Sequence, residues 1–235
     1  TFFHSKTGRG LLLAAGLLTI IALGPMMVFL LIAVIVLACL VELTGMVYCL
    51  DALARPKQTL AAIVAIVLQG LIVFVGAVMA VDVIDRHSLW AALIMVAAVY
   101  CENAGAQIFG KKFGRTPLAP RHSPNKTLEG AAYGWVCGIF GGIVFLALAV
   151  WSGGVDLDNV LAWLAIVVIV PPVAEIGDWI ESRMKRLVGV KDSSDLTRDN
   201  TRFIRIVSLS WLFGRQGGAL DKTDSLWLAV GVTWL

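Results

Sequence analysis

Apolar residues run in long, nearly unbroken stretches along this chain, and its polar residues are gathered between them. A helix needs ~20 predominantly apolar residues to cross a ~30 Å hydrocarbon layer, and several stretches reach or approach that length. No ten-residue alternation of apolar and polar positions is present, which argues against a barrel. The expected fold is all-α: a polytopic integral membrane protein of about six to seven transmembrane helices with a polar cavity facing the cytoplasm.

The pattern places helices over residues 11–23, 26–50, 59–81, 88–108 and 129–151, with turns at Gly24-Pro25 and at 82–87. A sixth span begins over 160–170, meets Pro171-Pro172 and resumes over 173–188. Two successive prolines remove two backbone donors, so the pattern predicts a helix broken at this pair and bordering a cavity. A seventh run starts at Leu226 and reaches Leu235, ~15 Å of helix, so the chain is expected to continue beyond it. Gly130, Gly134, Gly138 and Gly142 recur every four residues, a spacing that lets a neighbouring helix approach closely.

Composition supports this reading. The chain is 59% hydrophobic and 15% charged, with mean hydropathy +0.86, outside the balance of a water-soluble domain. Of its 19 Lys and Arg, 14 lie in residues 111–126 and 183–222. Those two segments, and with them the N-terminus, are expected on the cytoplasmic side. Cys39, Cys49, Cys101 and Cys137 have no CxxC spacing and read as small buried residues. The three histidines make no metal-ligand spacing, and no Walker sequence occurs.

Candidate chemistry sits at the inner ends of the spans. Asp178, Ser182, Lys185 and Arg186 fall at i, i+4, i+7 and i+8 and share one helix face. Asp221 and Asp224 follow the Gly217-Gly218 pair. Two carboxylates ~4 Å apart repel by about 4 kcal/mol at an effective dielectric of ~20. These aspartates therefore either hold a cation, for which an oxygen-rich set suits Mg2+, or pair with Lys185, Arg186 and Lys222. Glu42, inside the second helix, either lines the interior or snorkels. Lys111, Lys112, Arg115, Lys126 and Lys191 add fixed positive charge. Without a Ser-His or Cys-His pair, this set suits phosphoryl or nucleotidyl transfer by positioning and charge neutralisation, or the holding of anionic lipid headgroups. A transporter would need polar residues through the outer halves of the spans, and few occur there.

Two stretches resemble a known family. Residues 182–194 (SRMKRLVGVKDSS) and 217–225 (GGALDKTDS), with 110–120 (GKKFGRTPLAP) and 123–130 (SPNKTLEG), are similar to the two long motifs of phosphatidate cytidylyltransferases. The resemblance implies transfer of the cytidylyl group of CTP to phosphatidate, with Mg2+ and a second, monovalent cation such as K+. It implies metal binding by Asp178, Asp221 and Asp224. It also implies catalytic roles for Lys185, Arg186, Lys191, Asp192 and Lys222, and substrate binding by Ser123, Lys126, Thr127, Glu129, Ser182, Gly217 and Gly218. A homodimer in a prokaryotic inner membrane is expected, its partners being CTP, phosphatidate or a similar lipid phosphate, and membrane lipids, with no nucleic acid. Residues 1–81 would form N-terminal helices and 82–235 the catalytic domain. The chain departs from the pattern at Asn103, where an aspartate is usual with Glu102 now beside it, at Gln216 for histidine and at Lys222 for arginine. An insert at 197–213, with Arg198, Arg202 and Arg205, reads as an amphipathic segment on the inner membrane face. Alternatives are the same chemistry on another lipid phosphate, or a catalytically silent lipid-binding relative.

Overall fold

The computed structural model describes residues 25–48, 56–119, 123–188 and 219–231. Helix α1 spans Pro25–Tyr48 and α2 Pro56–Phe113. Strands β1 (Pro117–Ala119) and β2 (Ser123–Thr127) form an antiparallel hairpin that leads into α3, Leu128–Trp151. A 3-10 turn at Leu157–Asn159 precedes α4, Val160–Val188, and α5 covers Leu220–Val230. Among the described residues, five stretches are long and apolar enough to cross a membrane: Met26–Met46, Thr59–Arg86, Leu89–Phe113, Leu128–Trp151 and Leu157–Leu187. The chain is an all-α polytopic integral membrane protein. Large side chains such as Leu30, Phe74, Val136 and Phe140 are exposed on the outer faces of these helices, where lipid rather than water is their solvent. The expected helix at 11–23 lies outside the described residues, as do Cys49 and the insert at 197–213.

Three expectations are corrected. The segment 82–87 is helical, not a turn: it contains neither Gly nor Pro, and Arg86 Nε bonds Asp82 Oδ1 at 2.8 Å one helical turn away. The two halves of α2 nevertheless both lie against α5. Gly76 lies against the backbone of Trp227, and Ala98 and Val99 share a buried cluster with Ala229. On a straight helix Gly76 and Ala98 would be ~33 Å apart, whereas Trp227 and Ala229 lie within a single turn of one short helix, so both spans flank α5.

Pro171 and Pro172 do not break α4, which is helical from Val160 to Val188. A proline at 172 cannot donate to the carbonyl of Val168. The indole Nε1 of Trp135 on α3 donates to that oxygen instead, at 2.9 Å. A donor from a neighbouring helix thus replaces the missing backbone one, which is what an apolar surrounding demands. Lastly, the final helix begins at Leu220 rather than Leu226, so Asp221 and Asp224 belong to it.

The glycine spacing on α3 does pack as expected. Gly130, Gly134, Gly138 and Gly141 are buried, and a Cβ at Gly134 would meet Ala106 Cβ at 2.8 Å and the Glu102 carbonyl at 2.9 Å. The stripe therefore brings the inner half of α2 onto α3 at backbone distance, which fixes Asn103 and Gln107 beside the start of α3.

Candidate functional site

The hairpin and the start of α3 are tied into one corner. Thr127 has an extended backbone and caps α3, its Oγ1 accepting from Gly130 N at 3.1 Å. Glu129, in the first turn, accepts from Arg115 N at 3.0 Å, from Thr116 N at 3.0 Å and from Thr116 Oγ1 at 2.8 Å. Leu128 N donates to the Thr116 carbonyl at 2.9 Å, closing the loop from the other side. With the corner held this way, Lys126 at the end of β2 reaches across to α4.

Lys126 Nζ lies 2.8 Å from Glu175 Oε1 and 2.5 Å from Asp178 Oδ2. Burial pulls its pKa down, but the charges and hydrogen bonds of Asp178 and Glu175 outweigh that and leave it raised above the ordinary lysine value. The ammonium thus holds its proton and bridges two acids one helical turn apart. Glu102, buried on α2, has Glu175, Lys126 and Asp178 as charged neighbours.

Continuing along α4, Asp178 accepts from Ser182 Oγ at 3.3 Å, and Glu181 pairs with Lys185 at 2.6 Å. Asp224 comes from α5, with its Oδ1 accepting from Ser225 N at 2.7 Å and Ser225 Oγ at 3.2 Å. The two helices meet closely because Gly177 has no side chain: a Cβ there would stand 3.0 Å from the Asp224 carbonyl. As a result Asp178, Glu181 and Asp224 each present a carboxylate oxygen within 4.8 Å of the others. Three partly or fully buried carboxylates at that separation repel strongly. An all-oxygen set of this kind fits a hard divalent cation such as Mg2+.

A cavity of about 540 Å³ opens beside this cluster, walled by Asn103, Gln107, Lys111, Lys126, Thr127, Glu175 and Asp178. Carboxylates on one wall and lysines on another can hold a polyanion together with its counter-cation. Uncharged Asn103 and Gln107 offer directional hydrogen bonds to a base, sugar or phosphate.

The expected site residues fall into three groups. Asp178, Asp224, Lys126, Thr127, Ser182 and Lys185 come together around the cluster and cavity. Glu129 is engaged by the 115–116 loop, while Arg186 is exposed on α4. Lys191, Asp192, Gly217 and Gly218 lie outside the described residues, and the side chains of Ser123, Asp221 and Lys222 lie outside the description. Glu181 and Glu175 were missed. Their i, i+3 spacing around Asp178 is the readable signal that places them beside it.

The sequence model of the cytidylyltransferase family matches residues 45–198. Among proteins similar to this chain is the phosphatidate cytidylyltransferase of Aquifex aeolicus, 31% identical over 152 residues, which is 65% of this chain and 49% of the relative. That of Haemophilus influenzae is 31% identical over 144 residues, 61% of this chain and 44% of the relative. That of Staphylococcus haemolyticus is 34% identical over 141 residues, 60% of this chain and 44% of the relative. The chain spans about half the length of these relatives.

Proposed function

Because the chain belongs to the cytidylyltransferase family, we propose that it transfers the cytidylyl group of CTP to phosphatidate, forming CDP-diacylglycerol and releasing pyrophosphate. The observation that carries this reading is the meeting of Asp178, Glu181 and Asp224 from two helices beside a cavity walled by Lys126 and Lys111. In the reaction a phosphate oxygen of phosphatidate bonds to the α-phosphorus of CTP. The bond from that phosphorus to its bridging oxygen breaks, and pyrophosphate leaves with the electron pair.

The site residues divide the work of this reaction. Asp178, Glu181 and Asp224 would hold Mg2+, which when bound would neutralise phosphate charge. Asp221, three residues before Asp224, would join them by resemblance, which also implies a monovalent cation such as K+. Lys126, kept protonated by Glu175 and Asp178, faces the cavity and meets phosphate oxygens. Lys185 holds Glu181 in place. Glu129 fixes the 115–116 loop so that Lys111, Thr127 and Lys126 border one space. Ser123, Ser182, Arg186, Lys191, Asp192, Gly217, Gly218 and Lys222 keep the roles that the resemblance implies. The protein works as a homodimer in an inner membrane with this cavity on the cytoplasmic side, where the lysines and arginines concentrate.

Pyrophosphate release by detergent-purified protein tests the proposal. Release that needs CTP, phosphatidate and Mg2+ together, and that falls to background in Asp224→Asn, supports it. No release from wild-type protein under conditions in which a relative is active refutes it. Competition between phosphatidate and other lipid phosphates identifies the acceptor.

A further inference from the structure

Resting on that reading, a residue that does not line the cavity bears on the site. Glu42 lies on α1, outside the residues that match the family, and is fully buried. Its Oε1 accepts from Ala219 N at 2.8 Å and its Oε2 from Leu220 N at 2.9 Å. These are the first amides of α5, whose own N-cap residue, Ala219, supplies no side-chain cap. A helix start buried away from water must find acceptors for its unpaired N–H groups, and its partial positive charge favours an anion. Here that anion comes from another span.

One turn before Glu42 on the same face of α1, Cys39 Sγ lies 3.5 Å from Thr223 Oγ1. Thr223 donates to the Ala219 carbonyl at 2.9 Å and accepts from Trp227 Nε1 at 2.9 Å. Thr223 is followed directly by Asp224. The carboxylate that grips residues 219 and 220 therefore sets the axial position and rotation of a short helix whose next turn carries Asp224 to Asp178 and Glu181.

We propose that Glu42 is a positioning residue for the metal site: by clamping the N-terminus of α5, it holds Asp224 in register with the two acids of α4. The first described helix is then part of the frame of the site and more than a membrane anchor. A glutamine offers one acceptor where two are needed and turns an N–H₂ toward an N–H, so Glu42→Gln loosens the clamp at nearly constant volume.

The test uses the full chain in detergent, with Mn2+ as probe and its binding followed by electron paramagnetic resonance. Wild type binds Mn2+, Asp224→Asn does not, and Glu42→Gln binds at least ~10-fold more weakly. The Mg2+ concentration for half-maximal pyrophosphate release rises by a similar factor, and most of the rate returns at saturating Mg2+. Met46→Ala, which truncates an equally buried side chain on α1, lowers thermal stability and leaves Mn2+ affinity within ~2-fold. If Glu42→Gln does not fold, Glu42→Asp, whose shorter side chain cannot reach both amides, carries the same expectation. Wild-type Mn2+ affinity in the folded Glu42 variant overturns the inference and leaves the metal reading intact. An equal loss in Met46→Ala overturns it too. If wild type itself binds no Mn2+, the inference falls with the metal site, while pyrophosphate release still judges the transferase reading separately.

Discussion

Gly70 and Gly138 both sit within membrane-spanning helices, and helix propensity treats them alike: alanine at either should gain about 0.5–1 kcal/mol by restricting the unfolded chain. The structure separates them. At Gly70 an added Cβ has a single neighbour, Leu43 Cδ1 at 3.7 Å, ordinary van der Waals contact with a movable methyl. At Gly138 it would stand 2.8 Å from Pro171 Cγ, 2.9 Å from the Ala98 carbonyl oxygen and 2.9 Å from Glu102 Cβ. A proline ring and a main-chain carbonyl cannot step aside, so α3 must move away from α2 and α4 together. Overpacking costs about 1–3 kcal/mol, which exceeds the propensity gain. The net expectation is a loss of about 1–2 kcal/mol for Gly138→Ala and a gain of about 0.5–1 kcal/mol for Gly70→Ala. At ~2–4 °C per kcal/mol for a chain of this size, thermal unfolding in detergent should show Gly138→Ala lower by ~2–8 °C and Gly70→Ala higher by ~1–4 °C. Since α2 and α4 carry Asn103, Glu175 and Asp178 on the cavity wall, Gly138→Ala should also slow pyrophosphate release. A melting temperature raised by Gly138→Ala, or shifts of the same sign in both variants, would refute the close-packed stripe.

Trp135→Phe removes the donor that serves the Val168 carbonyl and should destabilise by about 1–2 kcal/mol. Pro172→Ala restores the backbone donor, so Trp135→Phe made in that background should cost little, a coupling that a double-mutant cycle in thermal unfolding reads directly. Lys126→Met strands Glu175 and Asp178 beside each other, and should lower pyrophosphate release by at least ~100-fold while also reducing stability by about 3 kcal/mol or more; unchanged turnover would remove Lys126 from the site. Glu129→Gln weakens the hold on Arg115 and Thr116, and limited trypsin digestion should then cleave after Arg115 several-fold faster, with the membrane spans left intact.

Much of the architecture was legible along the chain because its determinants are local. Crossing a bilayer requires a run of apolar residues and satisfied backbone groups, and both are properties of a segment. The glycine spacing of α3 was readable for the same reason, since one helix face is set by periodicity alone. The sequence motifs single out Lys126, Asp178 and Asp224, whose side chains the fold brings together, and Glu181 is readable from its place one turn after Asp178.

What tertiary structure decided are the matters that depend on a partner from elsewhere in the chain. Prolines at 171 and 172 read as a break because sequence counts only the donor lost, and Trp135, 33 residues from Val168, supplies the replacement. Residues 82–87 read as a turn because they are polar, yet nothing in them forbids a helix and an internal ion pair favours one. Glu42 read as interior or snorkelling; its bond to a helix start 177 residues later is invisible to any local pattern. Asp178 and Asp224 come within reach of each other where Gly177 lets α5 approach α4. Hydropathy determines which segments enter the membrane; the pairing of buried polar groups, each of which must find its partner there, determines how those segments are arranged around the site.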